Sequence, residues 1–190
     1  MTILIDKKIT FEQFLDYDDG TDTLYELENG ALIPVSSESD LNQRIAMFLI
    51  FYLLGRGIPS YRLRMKAEVA VNSRQVGVRV PDLVVFSEEL ATVLNGASRS
   101  IVFMDMPPPS IVVEVVSPNQ SNRDYRYKRS EYAARGIAEY WIVDPIEQKV
   151  TVLEWLEGFY EERVYMGEDR IGSPVIGDLE LTAAQVLTGA

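Results

Sequence analysis

Residues Ile111–Ser117 (IVVEVVS) constrain the fold of this chain more than any other stretch. They are nearly all apolar and rich in β-branched side chains. The run is too short for a buried helix and lacks the alternation of a half-exposed strand. It reads as a central strand covered on both faces. A second such strand follows at Glu139–Val143 (EYWIV), closed by Asp144-Pro145. The chain must therefore supply layers on both sides of a sheet. Ile45, Phe48, Leu49, Tyr52 and Leu53 recur at i, i+3, i+4, i+7 and i+8, the buried stripe of a helix running from an Asp40 cap to Leu54. Gly55 sits where a helix-stopping glycine would. Ser121 or Asn122 caps a further helix that ends near Arg135, before Gly136. Strands alternating with helices predict an α/β (α+β) fold with a mixed central sheet flanked by helices.

The remaining segments fit around that core. Thr10 with Gln13 forms a capping box for a short helix through Asp16. Leu24–Val35 (LYELENGALIPV) reads as an N-terminal hairpin, because Asn29-Gly30 suits a type I′ turn in which both residues need positive φ. Two strands follow at about 61–71 and 76–86, with Asn72 and Ser73 in the turn, then a peripheral helix over 88–95. Pro107-Pro108-Pro109 is a stiff loop that cannot join a ladder. Residues 149–154 and 159–166 form a C-terminal hairpin. With 190 residues and no linker, repeat or low-complexity stretch, residues 1–190 are expected to make a single domain. The opening MTILIDKKITFEQF breaks at Asp6, Lys7 and Lys8, too early for a signal peptide. No window approaches the roughly 18 uninterrupted apolar residues of a membrane span. The expected location is cytoplasmic, with no membrane partner.

Composition narrows the chemistry. The chain has no cysteine and no histidine. That excludes disulfides, thiolate and imidazole zinc sites, cysteine nucleophiles and Ser-His-Asp triads. Carboxylates, lysine, arginine, tyrosine and hydroxyls remain, which suit hard-metal, carboxylate or lysine chemistry. The net charge of −11 argues at face value against a nucleic-acid partner. The charge is uneven, however. Residues 56–79 hold six bases (Arg56, Arg62, Arg64, Lys66, Arg74, Arg79) against Glu68, and residues 123–135 hold five (Arg123, Arg126, Lys128, Arg129, Arg135) against two acids. These segments are either a local basic surface or solvated faces.

One carboxylate, Glu114, interrupts the apolar strand IVVEVVS. A buried carboxylate persists only with a partner: a metal, a base or a hydrogen-bond network. A second, Asp82, follows Pro81 and opens the apolar stretch LVVF. If their strands are neighbours, the two carboxylates can share one cation, and Mg²⁺ is commonly held by one or two carboxylates plus waters. Alternatively, Asp82 accepts backbone N–H bonds at a strand edge and Glu114 pairs with an arginine. Val116 shares the Glu114 face by the period of two, so the strand itself offers no lysine. Lys128 on the next helix lies on one stripe with Tyr125 and Tyr132, which points it inward towards Glu114. The alternative is a lysine snorkelling at a helix edge.

These residues resemble a known pattern: Arg79-Val80-Pro81-Asp82-Leu83-Val84-Val85, then Val113-Glu114-Val115-Val116-Ser117-Pro118, Asp124, Lys128, and Tyr140-Trp141-Ile142-Val143-Asp144-Pro145. The set is similar to the Uma-type family, long listed as a domain of unknown function, within the PD-(D/E)XK restriction-endonuclease-like superfamily. Tyr25-Glu26-Leu27-Glu28-Asn29-Gly30 resembles that family's opening hairpin. The resemblance covers roughly residues 8–185. It implies a restriction-endonuclease-like core and a Mg²⁺-dependent phosphodiesterase site, with Mn²⁺ as a substitute. Asp82 and Glu114 would be the metal ligands, and Lys128 the superfamily lysine displaced from its usual place two residues after the glutamate. Glu26 and Asp124 would support the site. Where relatives often carry a histidine, this chain has Asn42 in Asn42-Gln43-Arg44-Ile45. Asparagine cannot act as a base, which leaves room for a weakened enzyme.

Three functions follow. The first is a Mg²⁺-dependent endonuclease acting on nucleic acid, DNA foremost. The second is a non-catalytic relative binding nucleic acid through Arg123, Arg126 and Arg129, or binding protein. The third is a homodimeric assembly module, suggested by Trp155 and Tyr160, which alternatively are plain core.

Overall fold

The computed structural model describes residues 8–72, 75–118 and 123–190. Thr10 and Gln13 form the expected capping box for α1 (Phe11–Leu15). The N-terminal hairpin is β1 (Tyr25–Glu28) and β2 (Ala31–Pro34). Asn29 (φ 50°) and Gly30 (φ 84°) make its turn, the left-handed pair a type I′ turn requires. Helix α2 (Asp40–Gly55) buries Ile45, Leu49 and Leu53 as its periodicity predicts. Its boundaries differ by a residue or two. The cap is Ser39, whose hydroxyl accepts from the Asn42 N–H at 3.1 Å, and the left-handed glycine is Gly57, not Gly55.

The next segment departs most from expectation. Each of the two strands expected at 61–71 and 76–86 is broken in the middle. The observed strands are β3 (Leu63–Met65), β4 (Glu68–Asn72), β5 (Val76–Arg79) and β6 (Leu83–Val85). Lys66, at φ 54°, kinks the chain between β3 and β4. Pro81, which has no N–H for a ladder, lies with Asp82 between β5 and β6. The hairpin thus passes from one sheet into another at both kinks. Ser73, expected in its turn, lies outside the described residues.

Helix α3 (Glu88–Val93) and the short β7 (Ile101–Val102) precede β8 (Ile111–Val115). A helical segment then starts with a π turn at Arg123–Lys128 and continues as α4 (Arg129–Arg135), stopped by left-handed Gly136. The expected caps Ser121 and Asn122 lie outside the described residues. Strands β9 (Glu139–Asp144), β10 (Lys149–Leu156) and β11 (Phe159–Met166) follow as expected. The chain ends in elements the periodicity does not reveal: β12 (Arg170–Ser173), β13 (Gly177–Thr182) and α5 (Ala183–Thr188).

The predicted mixed sheet is one of two. A six-stranded sheet has the order β11-β10-β9-β8-β6-β3, antiparallel except for the parallel pair β8–β9. A five-stranded sheet has the order β2-β1-β5-β4-β7, and β12–β13 form a separate ribbon. The six-stranded sheet is covered on both faces, which explains why IVVEVVS is almost wholly apolar. On one face Leu83, Val85, Val113, Val115, Trp141 and Val143 pack under α2 and α5. On the other, Val84, Val112, Tyr140 and Ile142 pack under α3, α4 and β4. Asp82 and Glu114 belong by period to this second face. Tyr160 is buried in the core and its phenol donates to the Ile137 carbonyl at 2.8 Å, whereas Trp155 is 37% exposed although its indole N–H donates to the Ala133 carbonyl at 2.8 Å. No helix among the described residues is long and apolar enough to cross a membrane.

Candidate active site

Strand register creates the site. β6 and β8 pair antiparallel with Leu83 opposite Val113 and Val84 opposite Val112. One further step sets Asp82 opposite Glu114, on neighbouring strands and the same face. The expectation that these two acids converge is met. Both are buried, as are Glu26, Asp124 and Lys128.

Each carboxylate oxygen of the pair already has a partner. Asp82 Oδ2 accepts the Val115 N–H at 2.6 Å, and Oδ1 lies 2.6 Å from Lys66 Nζ. The backbone-accepting alternative for Asp82 is therefore also realised. Glu114 Oε1 accepts from the Tyr132 hydroxyl at 2.8 Å, and Oε2 lies 2.8 Å from Lys128 Nζ. The partner of Glu114 is thus a lysine rather than an arginine. Lys128 also contacts Asp124 Oδ1 at 3.2 Å and Glu26 Oε1 at 3.6 Å. It points inward and does not snorkel. Tyr125, expected on the same inward stripe, instead donates to Asp144 Oδ2 at 3.1 Å. It lies within the wider π turn, whose spacing differs from the i, i+3, i+4 rule.

A second group of charges braces the first. Arg79 is 1% exposed and clamps Glu131 with two bonds of 2.7 and 2.9 Å. It also reaches Glu26 Oε2 at 3.1 Å and Glu28 Oε2 at 2.8 Å. Arg123 meets the same two glutamates at 2.6 and 2.8 Å. From the sequence Arg79 is one of the clustered bases and the first residue of the Pro-Asp pattern, with no role at the site assigned to it, and Glu131, Glu38 and Lys66 are not placed there. Its place three residues before Asp82 in that pattern is the signal that could have given it a role. Asn42, also buried, donates to the Val115 carbonyl at 3.2 Å and to Ser117 Oγ at 3.1 Å. It anchors α2 to the end of β8.

The three arginines expected to bind nucleic acid separate. Arg123 lines the site but is held by Glu26 and Glu28. Arg129 pairs with Glu162 and donates to the Tyr160 carbonyl at 3.1 Å. Arg126 is exposed and, among the described residues, makes no ion pair.

Electrostatics follow from crowding. Burial, together with Asp124, Asp82 and Glu26, pushes Glu114 up to about 8 even against Lys128. Burial also raises Asp124 and Glu38. Burial opposes ionisation of Glu26, yet Lys128, Arg79 and Arg123 bring it down to about 2. Lys128 stays charged: burial pulls its value down, and Glu114, Glu26 and Asp124 more than offset that.

These groups surround a cavity of about 50 Å³, bounded by Glu26, Glu38, Lys66, Asp82, Glu114, Arg123, Asp124 and Lys128 among others. That volume suits an ion and a few waters. Five carboxylates face three cations across it. Among the described residues, no three His, Cys, Asp or Glu side chains form a ready metal-ion cluster. The donor set is nonetheless all hard oxygen with surplus negative charge, which fits Mg²⁺ or Mn²⁺ better than any softer metal.

Comparison with solved structures places the fold in a class. A crystal structure from Anabaena variabilis ATCC 29413, titled as "a putative nuclease belonging to DUF820", superposes with a TM-score of 0.76 at 20% sequence identity. The match covers 95% of this chain and 98% of that one, so the two share their α+β architecture. The chain itself belongs to the Uma2 family, described as "Putative restriction endonuclease", whose model matches residues 11–184. The resemblance read from its Pro-Asp and Glu114 segments is borne out. Comparison with curated proteins finds no match.

Proposed function

We propose that this protein is a Mg²⁺-dependent endonuclease that hydrolyses phosphodiester bonds in nucleic acid, DNA foremost. One observation carries the reading: Asp82 and Glu114 stand side by side on neighbouring strands, over an ion-sized cavity in which carboxylates outnumber cations. The family's description supports the reaction class. Asp82 and Glu114 would hold the cation. A bound Mg²⁺, or Mn²⁺ in its place, polarises a phosphoryl oxygen and lowers the pKa of water.

The chain's own groups do the rest. Lys128 neutralises Glu114 and orients it, while Tyr132 fixes the other oxygen. Glu26 and Asp124 keep Lys128 charged inside the fold. Asn42, where the family resemblance implies a histidine, holds the Val115 carbonyl; it cannot take a proton from water. Arg126, exposed on the π turn and without an ion pair among the described residues, would meet a phosphate backbone.

A second reading has one observation in its favour. All four oxygens of Asp82 and Glu114 are occupied by internal donors, as in a member that binds nucleic acid or protein without cutting. Calorimetric titration with Mn²⁺, paired with plasmid cleavage, separates the two. Wild type should bind and cut, and an Asp82→Ala/Glu114→Ala variant should do neither. DNA binding that survives the double substitution, with no metal uptake or cleavage in wild type, sinks the endonuclease reading.

A further inference from the structure

Lys66 lies where no sequence pattern places a functional lysine. Its backbone is left-handed, φ 54°, a conformation uncommon for a residue with a long side chain. That kink stands at the same level as Asp82, where the hairpin crosses between sheets. Lys66 Nζ lies 2.6 Å from Asp82 Oδ1, and it forms a second ion pair with Glu38. Since Oδ2 is held by the Val115 N–H, Oδ1 is the oxygen of Asp82 that a cation would need, and Lys66 covers it.

The lysine also stands between two spaces. The ion-sized cavity shares Val35, Ser36, Glu38 and Lys66 with a groove of about 610 Å³ that runs past Leu24, Gln43 and Met47. Lys66 and Glu38 therefore form part of the wall between them. Lys128, by contrast, is 4% exposed and enclosed by three carboxylates. Of the two lysines, Lys66 is the one with solvent on one side, its side chain 25% exposed. It can leave Asp82 without leaving an ion pair, because Glu38 remains beside it.

We propose that Lys66 is the internal counter-cation of Asp82 and competes with the divalent cation for that carboxylate. This rests on the metal-site reading above and adds to it a residue that sets how readily the site loads. Two cations cannot share one carboxylate oxygen in a partly buried pocket without strong repulsion, so loading displaces Lys66 towards Glu38 and the groove.

The test is Mn²⁺ calorimetry on the full chain, with thermal melts to verify folding. Lys66→Met should bind Mn²⁺ about tenfold tighter than wild type or more, the size of one charge-assisted hydrogen bond removed from competition. Lys66→Asn should behave alike and keeps a residue that tolerates the left-handed backbone. In an Asp82→Asn background, Lys66→Met should bring no gain, which a merely structural lysine would not predict. Unchanged or weaker affinity in both folded variants overturns the competition. No Mn²⁺ binding by wild type or any variant overturns the metal site itself.

Discussion

Replacing Lys128 by methionine tests whether the ammonium is the keystone of the buried charges. Methionine nearly preserves length and apolar volume, so the loss is electrostatic. The ammonium contacts Glu114 at 2.8 Å, Asp124 at 3.2 Å and Glu26 at 3.6 Å, and almost no solvent reaches it. Removing one partner of a buried ion pair costs about 3–5 kcal/mol, because the remaining charge is left desolvated. For a chain of this size about 1 kcal/mol moves Tm by about 2–4 °C, so the melting point should fall by about 6–20 °C. The loss should also depend on pH. Lys128 itself is charged throughout, since its folded value lies above the ordinary lysine value of 10.5 and its contribution is lost only at still higher pH. In the variant Glu114 and Asp124 lose their cation and their already raised folded values rise further, while Glu26 keeps Arg79 and Arg123. Stability held by such groups is present at low pH and is lost as pH rises through the raised values. The deficit should therefore be larger at pH 8 than at pH 5. Urea melts at both values, on wild type, Lys128→Met, Glu114→Gln and the double variant, measure it. The double variant should recover at least about 1 kcal/mol relative to additivity. A deficit below about 1 kcal/mol that is equal at both pH values, with additive substitutions, refutes the assignment of Lys128 as counter-ion.

Two further outcomes are expected. A Cβ on Gly77 would sit 2.6 Å from the Leu27 carbonyl oxygen, so Gly77→Ala must push β1 off β5; a melting point within about 2 °C of wild type would contradict that contact, since a clash of this kind costs about 1–3 kcal/mol. Glu139 is fully buried on β9; burial chiefly raises its carboxyl to about 7 despite the Ser173 hydroxyl bond of 2.7 Å. A raised carboxyl favours the fold at low pH and loses that advantage between the ordinary 4.5 and about 7, so Glu139→Gln should match wild type near pH 4 and exceed it by about 3 kcal/mol at pH 8. Parallel stability curves for the two proteins would rule this out.

The sequence shows the centre of the fold more clearly than its seams. Apolar runs and a helical stripe locate β8, β9 and α2, because burial on two faces or one leaves a periodic trace. The same logic brings Asp82, Glu114 and Lys128 to one place. The kink at Lys66 leaves no such trace, since a left-handed lysine has no signature in residue type; Pro81 does mark a break, which the single strand expected over 76–86 runs through. Charge partners are equally hidden. Arg79 and Glu131 are far apart in sequence, and only tertiary structure decides that they meet. The π turn escapes notice for a related reason: one extra residue per turn alters which tyrosine faces Glu114 while the composition stays helical.

The crossing hairpin has one more consequence. Its two strands belong half to each sheet, so the sheets are stitched together by continuous main chain at two adjacent points. Sliding one layer over the other would have to bend covalent backbone as well as unseat side chains. The distance from Glu26 on one layer to Glu114 on the other is thereby set by continuous backbone, the stiffest material the protein possesses, rather than by the packing of loops.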